Sequence, residues 1–138
     1  MLSQIFLAPL ETVARSAMAD LPVSPKFKFK GVDTVKLASL EHLAVGTPMA
    51  DALGANPCVR QRDGGGPWIY RLNDGLIQKL AGMSLPEISS LAKEWAVTDE
   101  WLADRGDPRE IEACLVKVSD YAKVARAGTK AMFLWVML

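Results

Sequence analysis

Lys130-Ala131-Met132-Phe133-Leu134-Trp135-Val136-Met137-Leu138 is the stretch that decides the fold, with eight apolar residues after a single lysine. A run that is apolar at every position has no side for solvent, which is typical of a strand buried on both faces. It is much too short to cross a bilayer as a helix, which takes about 20 residues. The sequence therefore predicts a central strand against which other elements pack.

Other extended segments can pair with this strand. Residues 2–7 are short, mostly apolar and bounded by Pro9. Residues 58–62 and 67–72 flank Asp63-Gly64-Gly65-Gly66, a strong β-hairpin signal. A phosphate-binding loop is the weaker interpretation of these glycines, because such a loop follows a strand and opens a helix. We predict three extended regions in chain order: an N-terminal strand, a central hairpin and a C-terminal strand.

Residues 26–30, Lys-Phe-Lys-Phe-Lys, alternate with a period of two. The phenylalanines would face inward and the lysines outward, as in an extended segment or a protected edge strand. The same pattern could stack bases and hold phosphates. Sixteen basic residues are balanced by sixteen acidic ones, however, so we predict no nucleic-acid partner.

Capping residues and hydrophobic periodicity predict the helices. Candidate N-caps precede apolar stripes at five places: Asp33, Asn73 or Asp74, Ser84 with Glu87, Thr98, and Asp107 before Pro108. The sequence thus predicts one α+β domain over residues 1–138. Its antiparallel or mixed sheet has about four strands (the N-terminal strand, the central hairpin and the C-terminal strand), with helices mainly on one face.

Residues 93–101, Lys-Glu-Trp-Ala-Val-Thr-Asp-Glu-Trp, combine two tryptophans with three carboxylates. They could form a ligand or metal site if the acids converged in a cleft. Acids at helix starts usually face water, and they stabilise the helix dipole. We interpret the stretch as a joint between two helices, with Trp95 and Trp101 as hydrophobic anchors.

Motifs for catalysis are missing from the sequence. It has no GxSxG, SxxK, GxGxxG, Walker, HExxH or EF-hand pattern. One histidine, His42, and two distant cysteines, Cys58 and Cys114, offer neither a sequence-evident dyad nor a zinc site. We therefore expect no catalytic residues, no metal and no cofactor, and favour a protein that is not an enzyme.

The uneven charge suggests a binding function. Residues 84–112 carry eight acids and three bases. The first hypothesis is a small, non-enzymatic protein-interaction domain that acts through an acidic helical face around Glu87 to Glu112. Its candidate partner-binding residues are Glu94, Asp99, Glu100 and Trp101. The partner is a protein of unknown identity, and a homodimer is left open.

The alternative hypothesis is a small-ligand-binding or enzymatic domain with a pocket between the 58–72 hairpin and the helices. Its candidate ligand-binding residues are Arg60, Arg62, Trp68, Tyr70 and His42. Arginines on paired strands can grip a carboxylate or phosphate bidentately. They can equally form the solvated outer face of an antiparallel sheet, which we favour.

The N-terminal residues resemble a secretory signal only faintly. No positive side chain precedes the apolar run, which is short and is interrupted by Glu11 and Arg15. Two cysteines make no disulfide framework. We expect a cytoplasmic protein that does not bind a membrane.

Overall fold

The computed structural model describes residues 2–15, 25–62, 66–128 and 130–137. Within these ranges five strands form one antiparallel sheet in the order β2-β1-β5-β4-β3. They are β1 (Leu2–Ala8), β2 (Lys26–Lys30), β3 (Cys58–Gln61), β4 (Trp68–Arg71) and β5 (Ala131–Met137). The predicted central strand is confirmed as β5. The sheet has one strand more than the four expected, because residues 26–30 pair with β1 as an edge strand.

Strand β5 lies at the centre of the sheet because it pairs with a strand on each side. Its seven residues face those of β1, from Leu2 opposite Met137 to Ala8 opposite Ala131. On its other side it pairs with β4, from Trp68 opposite Val136 to Arg71 opposite Phe133. The hairpin partners β4 and β3 pair with a register shift between Cys58 and Arg60. The predicted turn at residues 63–65 lies outside the described residues.

The helices lie mainly on one face of the sheet, as predicted. They are α1 (Leu10–Arg15), α2 (Thr34–Val45), α3 (Met49–Ala52), α4 (Asp74–Ala81), α5 (Leu85–Ala96), α6 (Asp99–Ala103) and α7 (Pro108–Ala127). The larger core joins Ile5 and Leu134 of the sheet to buried residues of α2, α4, α5, α6 and α7. A smaller core on the opposite face joins Phe6 and Phe133 to Val13 of α1.

Most of the predicted caps are present. The side chains of Asp33, Asn73 and Asp107 accept hydrogen bonds from the first turns of α2, α4 and α7, and Ser84 forms the capping box of α5 with Glu87. Thr98 differs from the prediction: it precedes α6, but its side chain caps nothing there. Its hydroxyl instead donates to the Trp95 carbonyl at 2.7 Å, which ties α6 to the end of α5.

Candidate functional site

A groove runs along the edge of the sheet between β2 and α7. It consists of two cavities of about 450 and 230 Å³ that share Phe29, Lys30, Glu110 and Cys114 as walls. We call it the β2–α7 groove. Its walls are residues 27–31 on the β2 side, Glu110, Ala113, Cys114 and Lys117 on α7, and Trp101 with residues 104–107 at one end.

The floor of the β2–α7 groove is apolar. Phe27 and Phe29 are half-buried and lie 5.2 Å apart between ring centroids. The Phe27 ring also meets Tyr121 of α7 edge-on at 4.9 Å, which holds the edge strand against the helix. Cys114 of α7 is buried and lines both cavities, and burial raises the pKa of its thiol to about 12. That thiol stays protonated near neutral pH and serves as a small apolar surface.

The two ends of the groove differ in charge. The larger cavity is lined by three lysines, Lys28, Lys30 and Lys117, and a single acid, Glu110. The smaller cavity is lined by Asp104, Asp107 and Glu110 against the bases Lys30 and Arg105. We call the smaller cavity the acidic end for its three carboxylates, but its charges nearly balance once the Lys36 ammonium, which pairs with Asp104, is counted. A segment lying along the groove would therefore pass from a lysine-rich to a nearly neutral environment, which defines a preferred direction for it.

The acidic end rests on a buried lysine. Lys36 of α2 is 1% exposed, and its ammonium forms an ion pair with Asp104 and donates to the Gly31 carbonyl. It also lies 4.4 Å from the centroid of the Trp101 ring. A buried charge is tolerated when it is paired and hydrogen-bonded, and the aromatic face adds a cation–π contact. Lys36 thereby joins the end of β2 to the loop after α6.

Close packing fixes the tryptophan behind this end. Trp101 meets Trp95 edge-on with 5.4 Å between ring centroids, and the Trp95 indole donates to the Lys36 carbonyl at 2.9 Å. A side chain at Gly106 would place its Cβ 2.7 Å from Cε3 of Trp101. Gly31 has a φ of +82°, which favours glycine, and its missing side chain leaves room for the Lys36 ammonium. The acidic end is therefore well packed.

The predicted partner-binding residues do not form one surface. Glu94 is exposed on α5, away from the groove walls. Asp99 and Glu100 line a separate cavity of about 290 Å³ between α2 and α6, together with His42. Glu100 accepts a hydrogen bond from Ser39 at 3.1 Å. Trp101 is 5% exposed and reaches the β2–α7 groove as part of its end wall.

The predicted ligand-binding residues lie on different sides of the molecule. By register, Trp68 and Tyr70 point to the helix face of the sheet, whereas Arg60 points to the opposite face. There the Arg60 guanidinium donates to the Val13 carbonyl at 2.6 Å. Arg62 is exposed beyond the end of β3, and His42 is exposed on α2. None of the three cavities described above is lined by Arg60, Arg62, Trp68 or Tyr70.

A second polar cluster joins α2 to the start of α4. Glu41 is 3% exposed, and its carboxylate accepts a hydrogen bond from the Asn73 side-chain amide. The backbone N–H of Asn73 donates to the Asn56 side chain at 3.0 Å, while the Asn73 oxygen caps α4 at Leu76. The backbone N–H, the side-chain amide and the side-chain oxygen of Asn73 are thus all hydrogen-bonded within the fold. We therefore assign this cluster a role in stability.

Sequence reasoning did not single out Lys28, Lys30, Glu110 or Lys117 as candidates for protein binding, although Glu110 falls within the predicted acidic face. The edge-strand prediction for residues 26–30 and the apolar stripe through Cys114 were the available signals. They did not reveal that β2 and α7, about 80 residues apart in the chain, face each other across a groove.

No family model, curated protein or solved structure matches this chain. Among the described residues, no group of three or more His, Cys, Asp or Glu side chains is arranged to hold a metal ion. None of the described helices is both long and apolar enough to cross a membrane.

Proposed function

We propose that this chain is a non-enzymatic protein-interaction domain that binds a segment of a partner protein in the β2–α7 groove. The observation that carries the proposal is the combination of an apolar floor with a lysine-rich end. Burying Phe27 and Phe29 further would supply affinity, because apolar contacts at the centre of an interface carry most of its energy. The lysine-rich end would set the direction of the bound segment and favour acidic over basic segments.

This proposal narrows the acidic helical face expected from the sequence. Asp104, Asp107 and Glu110 are the part of that face that borders the groove, whereas Glu94 and Asp99 face elsewhere. The two free thiols, Cys58 and Cys114, support a reducing compartment, and we place the interaction in the cytoplasm.

Site-specific photo-crosslinking tests the proposal. A photoreactive residue is placed at Ala113, which is exposed and lines the groove, and the full chain is expressed in its own cells at its native level. The matched control carries the same residue at Ala50, which is exposed on α3 and lines none of the three cavities described above. We expect an adduct of one defined mass from position 113 and none of that mass from position 50.

Charge reversal within the groove provides the second arm. Lys117→Glu and Glu110→Lys change exposed side chains and should leave folding intact. Lys117→Glu should reduce the yield of the adduct severalfold, because it removes one of the three lysines of the larger cavity, whereas Glu110→Lys adds a base and should not reduce it. Equal adducts from positions 113 and 50, or a yield unaffected by Lys117→Glu, would contradict binding in the groove.

A further inference from the structure

We infer that the partner binds by adding a strand to β2. In this mode an extended segment of another protein, with acidic residues alternating with apolar ones, continues the sheet beyond its β2 edge. This inference rests on the proposed function and specifies the chemistry of the partner that the β2–α7 groove accepts.

The backbone of β2 offers a regular edge. It pairs with β1 alone in the described sheet, through five consecutive residue pairs from Leu2 opposite Lys30 to Phe6 opposite Lys26. About half of the N–H and C=O groups of such an edge strand point away from the sheet and can bind another strand. The opposite edge, β3, has four residues and an irregular register. An irregular edge pairs poorly with a further strand, so β2 is the better template.

The side chains of β2 specify the alternation in the partner. Phe27 and Phe29 point to the groove, so every second partner side chain would enter the cavity of about 450 Å³ beside them and should be apolar. Lys28 and Lys30 point to the opposite face, are exposed, and form no ion pair within the described part of the chain. Directly opposed residues on adjacent strands have Cβ atoms about 5 Å apart, where opposite charges attract. The intervening partner residues should therefore be acidic.

A second copy of this chain is a poor occupant of the same edge. Pairing of two β2 strands would place the outward lysines of one copy beside those of the other, and like charges in that arrangement are destabilising. Lysines on an edge strand are a common protection against self-association of this kind. The pattern thus discriminates against self-pairing while it leaves the edge open to an acidic strand.

Synthetic peptides test the inference. The probe is a capped, fluorescently labelled heptapeptide of alternating valine and glutamate, titrated into the full chain and followed by fluorescence anisotropy. Controls are the valine–lysine analogue and the valine–glutamate peptide with a central proline, which cannot continue a β-ladder. We expect the valine–glutamate peptide to bind at least about tenfold more tightly than either control.

The variant Lys28→Glu/Lys30→Glu should weaken binding of the valine–glutamate peptide by about tenfold or more, since two attractive cross-strand pairs become repulsive. The matched control is Lys93→Glu/Lys123→Glu, which reverses two exposed lysines that line neither groove cavity and should bind as the unmodified chain does. Hydrogen exchange supplies a readout that side-chain docking alone would not change: bound peptide should protect backbone amides of residues 26–30.

The inference is overturned if the lysine or proline peptide binds equally well, if binding leaves the β2 amides unprotected, or if the chain dimerises through β2. These results leave the proposed function standing provided that the Ala113 adduct still forms and still depends on Lys117. Failure of both the peptides and the adduct removes both proposals.

Discussion

Replacing Asp104 with alanine should destabilise the protein more than replacing Lys36 with methionine, although Asp104 is the more exposed partner. Asp104→Ala leaves the Lys36 ammonium, 1% exposed, with the Gly31 carbonyl and the Trp101 ring as its remaining partners. Lys36→Met leaves a carboxylate whose side chain is 53% exposed and can be hydrated. The two variants break the same ion pair, but Asp104→Ala leaves an unpaired charge in the interior, whereas Lys36→Met leaves one at the surface.

The magnitudes follow from this difference. Removing one partner of a fully buried ion pair costs about 3–5 kcal/mol. Because Asp104 is half exposed and water can partly replace it, we reduce the figure for Asp104→Ala to about 2 kcal/mol. Methionine retains most of the lysine volume, so Lys36→Met loses mainly one hydrogen bond to the Gly31 carbonyl, about 1 kcal/mol. The double variant should be about as stable as Lys36→Met alone, which gives a coupling energy of about 2 kcal/mol.

Equilibrium urea denaturation at pH 7, followed by tryptophan fluorescence and by circular dichroism, measures all four proteins of this cycle. Transitions that coincide for the two probes, with equal slopes, would justify comparing the free energies of unfolding. The reasoning is refuted if Lys36→Met is the more destabilising single variant, or if the coupling energy is within error of zero. Either result would mean that the Lys36 ammonium is not confined by the fold as the structure places it.

Three further predictions concern packing, ionisation and the polar cluster. Gly106→Ala should lower the free energy of unfolding by about 1–3 kcal/mol, because its Cβ would lie 2.7 Å from an indole carbon of Trp101. Gly54→Ala is the control and should change stability little, because open space surrounds that position. Thermal unfolding of both variants measures the difference. Burial raises the pKa of Cys114 from 9.0 to about 12, so the thiol ionises first in the unfolded chain and the free energy of unfolding should fall as the pH rises from about 9 towards 12. In urea titrations across that pH range, Cys114→Ala should show a smaller fall. Iodoacetamide at pH 8 should modify Cys58 but not Cys114 in the folded protein, as mass spectrometry can show. Asn73→Ala removes a helix cap and the amide donor to a buried carboxylate on α2, so it should cost about 2–4 kcal/mol in urea denaturation, and a loss under about 1 kcal/mol would contradict the assigned network.

Local patterns in the sequence were sufficient for most of the fold. The unbroken apolar run at residues 131–137 predicted the central strand. The structure confirms it: β5 has a strand on each side, most helices pack on one face of the sheet, and α1 packs on the other. The alternation in residues 26–30 predicted an extended segment or an edge strand with inward phenylalanines, and β2 is such an edge strand, although the predicted sheet of about four strands did not include it. Trp95 and Trp101 were predicted as anchors of a helix joint, and their edge-on contact confirms it.

The buried lysine shows where such reasoning ends. Six consecutive residues of α2, 36–41, are buried although they include a lysine and a glutamate. Both faces of this part of the helix are covered, so the burial of Lys36 does not follow from an amphipathic stripe. Lys36 is accommodated by Asp104, 68 residues away in the chain, and no local pattern reports a partner at that distance.

The same contacts bear on the binding that we propose for the β2–α7 groove, because they hold its walls in place. One wall is the end of an edge strand, which by itself would be among the least constrained parts of a sheet. Here Phe27 packs against Tyr121 at one point, and the Gly31 carbonyl is held by Lys36 at another. Lys36 in turn pairs with Asp104, the first of the three carboxylates at the acidic end. The edge strand and the acidic loop are therefore fixed relative to each other through one buried ammonium, so a partner segment need not order these walls when it binds, and the free energy of that ordering is not lost from its affinity.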